Sequence, residues 1–208
     1  MRELLDQLGS SAPAPGGGAA AALAGALGAA LVQMTANLSI GRPRLAEIQQ
    51  QARQIEARAG ELQRRLAHLG DADARAFARV NAAYKLPRHD AAQNAQRSAA
   101  IQAALLEAAA VPLETAQLCA DVLELAEQAA PLLNSSVISD VMVGALLAGA
   151  ALDSAAVNVE VNLAAMTDAR AAEQLQTALG RARSGSSERL ARVLDKARSR
   201  LSKPLSKS

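Results

Sequence analysis

"VISDVMVGALLAGAALDSAAVNVEVNLAAM" runs from Val137 to Met166. Ala, Val, Leu and Gly fill most of it, and no alternating strand pattern interrupts them. The run reads as one very apolar helix, buried on most sides and therefore placed at the centre of the fold. "APLLNSS" before it reads as a loop, with Asn134 or Ser135 as a plausible N-cap, and Asp140 as a further candidate to cap the helix start.

Working outward, the same composition governs the rest of the 208 residues: half are hydrophobic and only 1% aromatic. Ala, the best helix former, supplies much of the apolar mass. The expectation is an all-α, single-domain helical bundle over residues 1–208, with 203–208 as a frayed tail. Predicted elements are helices at about Arg2–Leu8, Ala19–Ser39, Arg44–Tyr84, Ala91–Ala129, Ala169–Ala182 and Glu188–Leu201. Gly60 and Gly70 are expected to bend or break the third pattern, and Pro112 to kink or divide the fourth. In "RHD", Asp90 reads as the cap of the helix that follows rather than as part of a metal site.

Charge excludes several function classes. With 22 basic and 20 acidic residues the net charge is +2, too balanced for nucleic acid as main partner. One Cys and two His give neither a disulfide nor a zinc-ligand spacing, so no metal is expected. The acidic start "MRELLDQLG" is unlike a secretory signal, and no stretch of 18 or more strongly apolar residues is expected, since the Gly16–Val32 run comes close in length but is Ala and Gly. A soluble, cytoplasmic protein without a membrane partner is expected.

The stretch "SSAPAPGGGAAAALAGALGAALV", Ser10 to Val32, matches neither GxxxxGK[ST] nor GxGxxG. Ala21, Gly25, Gly28 and Val32 share one helix face, which suits close packing. Gly16, Gly17 and Gly18 put bare backbone N–H groups at a helix N-terminus, which suits an anionic ligand group. The two aromatic residues fall on one stripe, Asp73, Phe77, Val80 and Tyr84. Either Phe77 is core and Asp73 a solvated acid, or Asp73 is a general acid/base at a pocket edge. A second stripe runs Asp140, Gly144, Leu147, Ala151, Ser154, Asn158, Asn162. Asp140 and Asn158 lie about 27 Å apart along it, too far to meet at one atom. Asn158 and Asn162, one turn apart, are placed either to share a ligand or to bond neighbouring helices.

Several spaced motifs together carry a resemblance: "SSAPAPGGGAAAALAGALGAALVQMTANLSIGR", "DADARAF", "YKLPR", "VPL", "NSSVISDVMVGA" and "AAVNVEVNLAAMTD". In this order, over about Leu4 to Asp168, they resemble the cyclodeaminase/cyclohydrolase family, the C-terminal part of formiminotransferase-cyclodeaminase. The resemblance implies an all-helical homodimer acting on the one-carbon unit of a tetrahydrofolate derivative, with no tightly bound cofactor. It implies Asp73 as the catalytic acid/base, from the D-x-x-A-F pattern, and Gly16, Gly17, Gly18, Asp140 and Asn158 as substrate-binding positions. Tyr84 joins them as a group positioning the pterin or water. Three departures stand out: Ala19 where cyclodeaminases commonly have Ser, Arg88 for the lysine of "LPK", and Leu133-Asn134 for Gly-Asn. Ala19 tilts the expected reaction toward stand-alone methenyltetrahydrofolate cyclohydrolase, which converts 5,10-methenyltetrahydrofolate to 10-formyltetrahydrofolate. The alternatives are a formimidoyltetrahydrofolate cyclodeaminase releasing ammonia and a non-catalytic helical interaction protein.

Overall fold

The computed structural model describes residues 2–201, so the expected tail at 203–208 lies outside the described residues. It is all-helical: α1 (Arg2–Leu8), α2 (Gly17–Asn37), α3 (Gln49–Tyr84), α4 (Ala91–Leu132), α5 (Ile138–Ala164), α6 (Ala169–Arg183) and α7 (Ser186–Leu201). Short 3-10 turns at Pro43–Ile48 and Ser135–Val137 lead into α3 and α5. Helices α2, α3, α4 and α5 form a ring in which each packs on the next and α5 closes back on α2. α6 and α7 lie across α4 and α5, while α1 buries nothing.

The core follows from helical spacing. α3 buries Ala52, Ile55, Ala59, Leu62, Leu66 and Leu69 on one face, steps of three and four. α2 and α5 touch backbone to backbone: a Cβ on Gly28 would lie 2.7 Å from Gly144 O, and one on Gly144 would lie 2.8 Å from Gly28 O. Close approach at this crossing requires glycine on both helices. It fixes the middle of α2 against the second turn of α5.

Local break signals do not divide the helices where packing supports them. α3 runs unbroken through Gly60 and Gly70. At Gly60 the missing side chain leaves room for Gln33, whose Nε2 would sit 2.6 Å from a Cβ there. α4 continues through Pro112 and extends to Leu132, taking in the first residues of the expected "APLLNSS" loop. α2 starts at Gly17, two residues earlier than the Ala run suggested. Asp90 caps α4 by accepting from Gln93 N–H at 2.8 Å, and Asn134 caps the turn before α5 by accepting from Ser136 N–H. The first residues of α5 have no side-chain cap; Asp140 lies within the first turn.

Two expectations are corrected. α5 is not buried on most sides: Val143, Leu146, Val157 and Val161 are 46–66% exposed, opposite the buried Val141, Ala145, Leu152 and Val159. Stretches long and apolar enough to cross a membrane do exist: α2, α4 and Ser135–Ala164 hold windows of mean hydropathy 1.6, 1.2 and 1.7. Ala raises those values, and in the bundle these helices bury much of their apolar surface against one another.

Candidate functional site

A cleft of about 430 Å³ opens where the start of α2, the second half of α3, the middle of α4 and the last turns of α5 meet. Gly16, Gly17, Gly18, Asp73, Phe77 and Asn158 all line it. The stripe reading of α3 places the acid and the aromatic ring together: Asp73 and Phe77 are one turn apart, and Phe77 is 42% exposed rather than core.

Asp73 is half-buried, and its Oδ2 accepts from Ala19 N–H at 3.1 Å. A Cβ on Gly18 would overlap that carboxylate, so any side chain there must displace the acid from this position. The anion resting against the N-terminus of α2 is thus the protein's own acid. Burial raises the Asp73 pKa above its ordinary value, outweighing the Ala19 hydrogen bond, which lowers it. Among the described residues, no cationic side chain lines the cleft. Its polar inventory is one carboxylate, two carboxamides and the glycine backbone.

The carboxamides belong to α5. Asn158 Nδ2 donates to Ser154 O at 2.9 Å, and a Cβ on Gly17 would lie 3.8 Å from the Asn158 amide. Asn162, which sequence reasoning linked to Asn158 without placing it at the site, also lines the cleft. Val80, Leu105, Ala108 and Val161 supply apolar walls. Val80 was legible on the α3 stripe; Leu105 and Ala108 were not, because only tertiary packing brings α4 here.

Tyr84 and Asp140 are not brought to this cleft. Tyr84 is 46% exposed at the end of α3, its ring 5.6 Å from the Arg97 guanidinium, and its carbonyl accepts from Arg97 Nη2 at 3.1 Å. Asp140 sits at the opposite end of α5 from Asn158, about 27 Å away along the helix. A larger groove of about 540 Å³ between α3 and α4 contains Arg58 and Asp121, but these neutralise each other at 2.8 Å.

A half-buried acid without a paired cation, facing an apolar cleft, can take a proton from water and return it to a nearby leaving group. Comparison with known proteins points to one lineage. The formiminotransferase-cyclodeaminase family profile matches residues 1–181. The chain is 44% identical over 174 residues to the methenyltetrahydrofolate cyclohydrolase of Methylorubrum extorquens, covering 84% of each protein. It is 34% identical over 168 residues to the formimidoyltransferase-cyclodeaminase of Rattus norvegicus, covering 81% of this chain and 31% of that longer protein. The crystal structure of formiminotetrahydrofolate cyclodeaminase from Thermotoga maritima superposes with a TM-score of 0.86 at 26% identity, covering 96% of both chains. The chain belongs to the formiminotransferase-cyclodeaminase family.

Proposed function

We propose that this protein hydrolyses 5,10-methenyltetrahydrofolate to 10-formyltetrahydrofolate, with Asp73 as general acid/base. The observation that carries the proposal is the unpaired, half-buried Asp73 carboxylate facing a cleft with no cationic side chain among its described lining residues. The methenyl bridge is a cation shared between two nitrogens, and an acid in an apolar cleft attracts it. Water adds to the bridging carbon as Asp73 takes one of its protons. The resulting carboxylic acid then protonates N5 as the C–N5 bond breaks. The remaining hydroxyl proton leaves to solvent as the formyl carbonyl forms on N10. Water and one carboxylate suffice for these steps, with the folate as substrate rather than resident cofactor. Phe77 and Val80 offer the pterin an apolar wall, and Gly16 and Gly17 leave room for it.

The similarity to the Methylorubrum extorquens enzyme favours hydrolysis over deamination. The Thermotoga maritima structure favours the second reading, ring closure of formiminotetrahydrofolate with loss of ammonia, in which the same acid would protonate the departing amine. Incubation with each substrate separates them: loss of methenyl absorbance supports the first, ammonia release the second. Asp73→Asn is expected to lower turnover by about 10²–10⁴-fold with its fold unchanged. A near-native rate would remove Asp73 from this role.

The same reading makes the chain one soluble, cytoplasmic domain that works as a homodimer. Exposed Leu27 and Met34 on α2, Leu38 at its C-cap, and Val143, Leu146, Val157 and Val161 on α5 support a second copy as the cover of that apolar face.

A further inference from the structure

Pro112 lies in the middle of a 42-residue helix that does not break. Proline has no backbone N–H, so the carbonyl four residues earlier, Ala108 O, loses its helical partner. A side chain from another helix takes that vacancy: Asn162 Nδ2 donates to Ala108 O at 3.2 Å and to Asn158 O at 2.9 Å. Ala108 and Asn162 both line the cleft beside Asp73.

The two bonds also orient the amide. Carbonyl oxygens only accept, so the end of Asn162 held between them is the NH₂, and both its hydrogens are engaged. Oδ1 is then the atom left to serve the cleft, as a hydrogen-bond acceptor.

From this geometry we infer that Pro112 is a positioning residue for the cleft: by freeing Ala108 O it anchors Asn162 across the α4–α5 interface, so that Asn162 Oδ1 accepts an N–H from the bound heterocycle. The inference rests on the proposed folate reading for the identity of that heterocycle, a pterin edge carrying ring N–H and amino donors. The anchoring itself does not depend on it.

Pro112→Ala, Asn162→Leu and the double variant test both parts. Pro112→Ala restores a backbone N–H that reclaims Ala108 O, so its melting temperature should hold or rise. Its KM for 5,10-methenyltetrahydrofolate should nevertheless increase about tenfold, the worth of roughly one hydrogen bond, with kcat much less affected. Asn162→Leu should raise KM as much, and the double variant no further. A merely structural proline predicts the reverse, a lower melting temperature with KM unchanged, and that result overturns the inference, as does additivity of the two KM effects. Melting temperatures give an arm free of substrate. Asn162→Leu should destabilise the wild-type protein, where it bares Ala108 O, more than it destabilises the Pro112→Ala variant; equal losses overturn the anchoring. If the wild type neither turns over the methenyl substrate nor binds 5-formyltetrahydrofolate by calorimetry, the folate reading fails, and the stability comparison still decides the anchoring.

Discussion

A side chain at position 18 would occupy the space of the Asp73 carboxylate. Gly18 and Asp73, 55 residues apart, therefore act as one unit, with the Ala19 N–H fixing one carboxylate oxygen and leaving Oδ1 free of that bond. Gly18→Ala should push the acid off the α2 terminus. Losing the Ala19 donor removes the one interaction that lowers its pKa, so the acid limb of the pH–rate profile should move to higher pH and the maximal rate fall. An unshifted acid limb would show that the carboxylate is not seated by this glycine. Asp73 also links pH to stability. Its native pKa lies above the ordinary 3.8, so the folded chain holds the proton more tightly than the unfolded one. That favourable contribution is complete below the ordinary value and is lost as pH rises through the raised native one. At neutral pH the half-buried charge is a burden, one that the proposed proton-transfer role would require. Asn at position 73 keeps an acceptor for Ala19 N–H without the charge. Asp73→Asn should therefore melt at or above the wild-type temperature at pH 7, with that advantage shrinking near pH 3. A melting temperature several degrees lower at pH 7 would contradict this account.

At the scale of elements, the sequence reveals what is periodic and local and misses what a neighbour supplies. The one-sided spacing of α3 and the Asp90 cap were legible because one helix carries the whole signal. The continuity of α3 past Gly60 and of α4 past Pro112 was not, since Gln33 and Asn162 come from other helices. The site divides in the same way: the Asp73–Phe77 stripe was readable, whereas Leu105 and Ala108 needed the α3–α4 packing. α7 lies beyond the residues matched by the family profile, yet it is held firmly. Arg189, Arg192 and Lys196 converge on Glu127 of α4 at 3.3, 2.7 and 3.2 Å, and Val193 and Ala197 are buried beneath. The Arg192 hydrogen bond leads the causes that hold the Glu127 carboxyl down to about 2. A lowered pKa stabilises above the ordinary value of 4.5 and loses that contribution as pH falls toward 2. Glu127→Gln should lower hydrogen-exchange protection across Ser186–Leu201 at neutral pH, and acidification from 4.5 toward 2 should do the same to the wild type once intrinsic exchange rates are divided out. The effect should be modest, because the clasp lies near the surface and Val193 and Ala197 stay packed. Exchange in α7 that ignores both changes would assign its attachment to packing alone.

At the scale of the molecule, the ring of four helices uses the inner faces of α2 and α5 and leaves their outer faces apolar. Leu27 and Met34 run along one, with Leu38 at its C-cap, and Val143, Leu146, Val157 and Val161 along the other. The two helices touch at Gly28 and Gly144, so the faces carrying these residues belong to neighbouring helices. Val161 belongs both to that surface and to the cleft lining, which puts the lip of the cleft at the edge of the proposed homodimer contact. Assembly and turnover should therefore respond together. Val157 is 57% exposed, and its replacement by Glu leaves the core of the protomer untouched. Within a dimer, the same change would bury an unpaired charge at a cost of about 3 kcal/mol or more, a shift on the order of a hundredfold in dimer Kd. Sedimentation velocity should find the wild type as a dimer at micromolar concentration and Val157→Glu as a monomer with unchanged helical circular dichroism. The monomer should show a higher KM, because the covering copy no longer shelters the lip at Val161. A monomeric wild type would remove the second copy as the cover of this face. A monomeric variant with native KM would keep the dimer but separate it from the chemistry of the cleft.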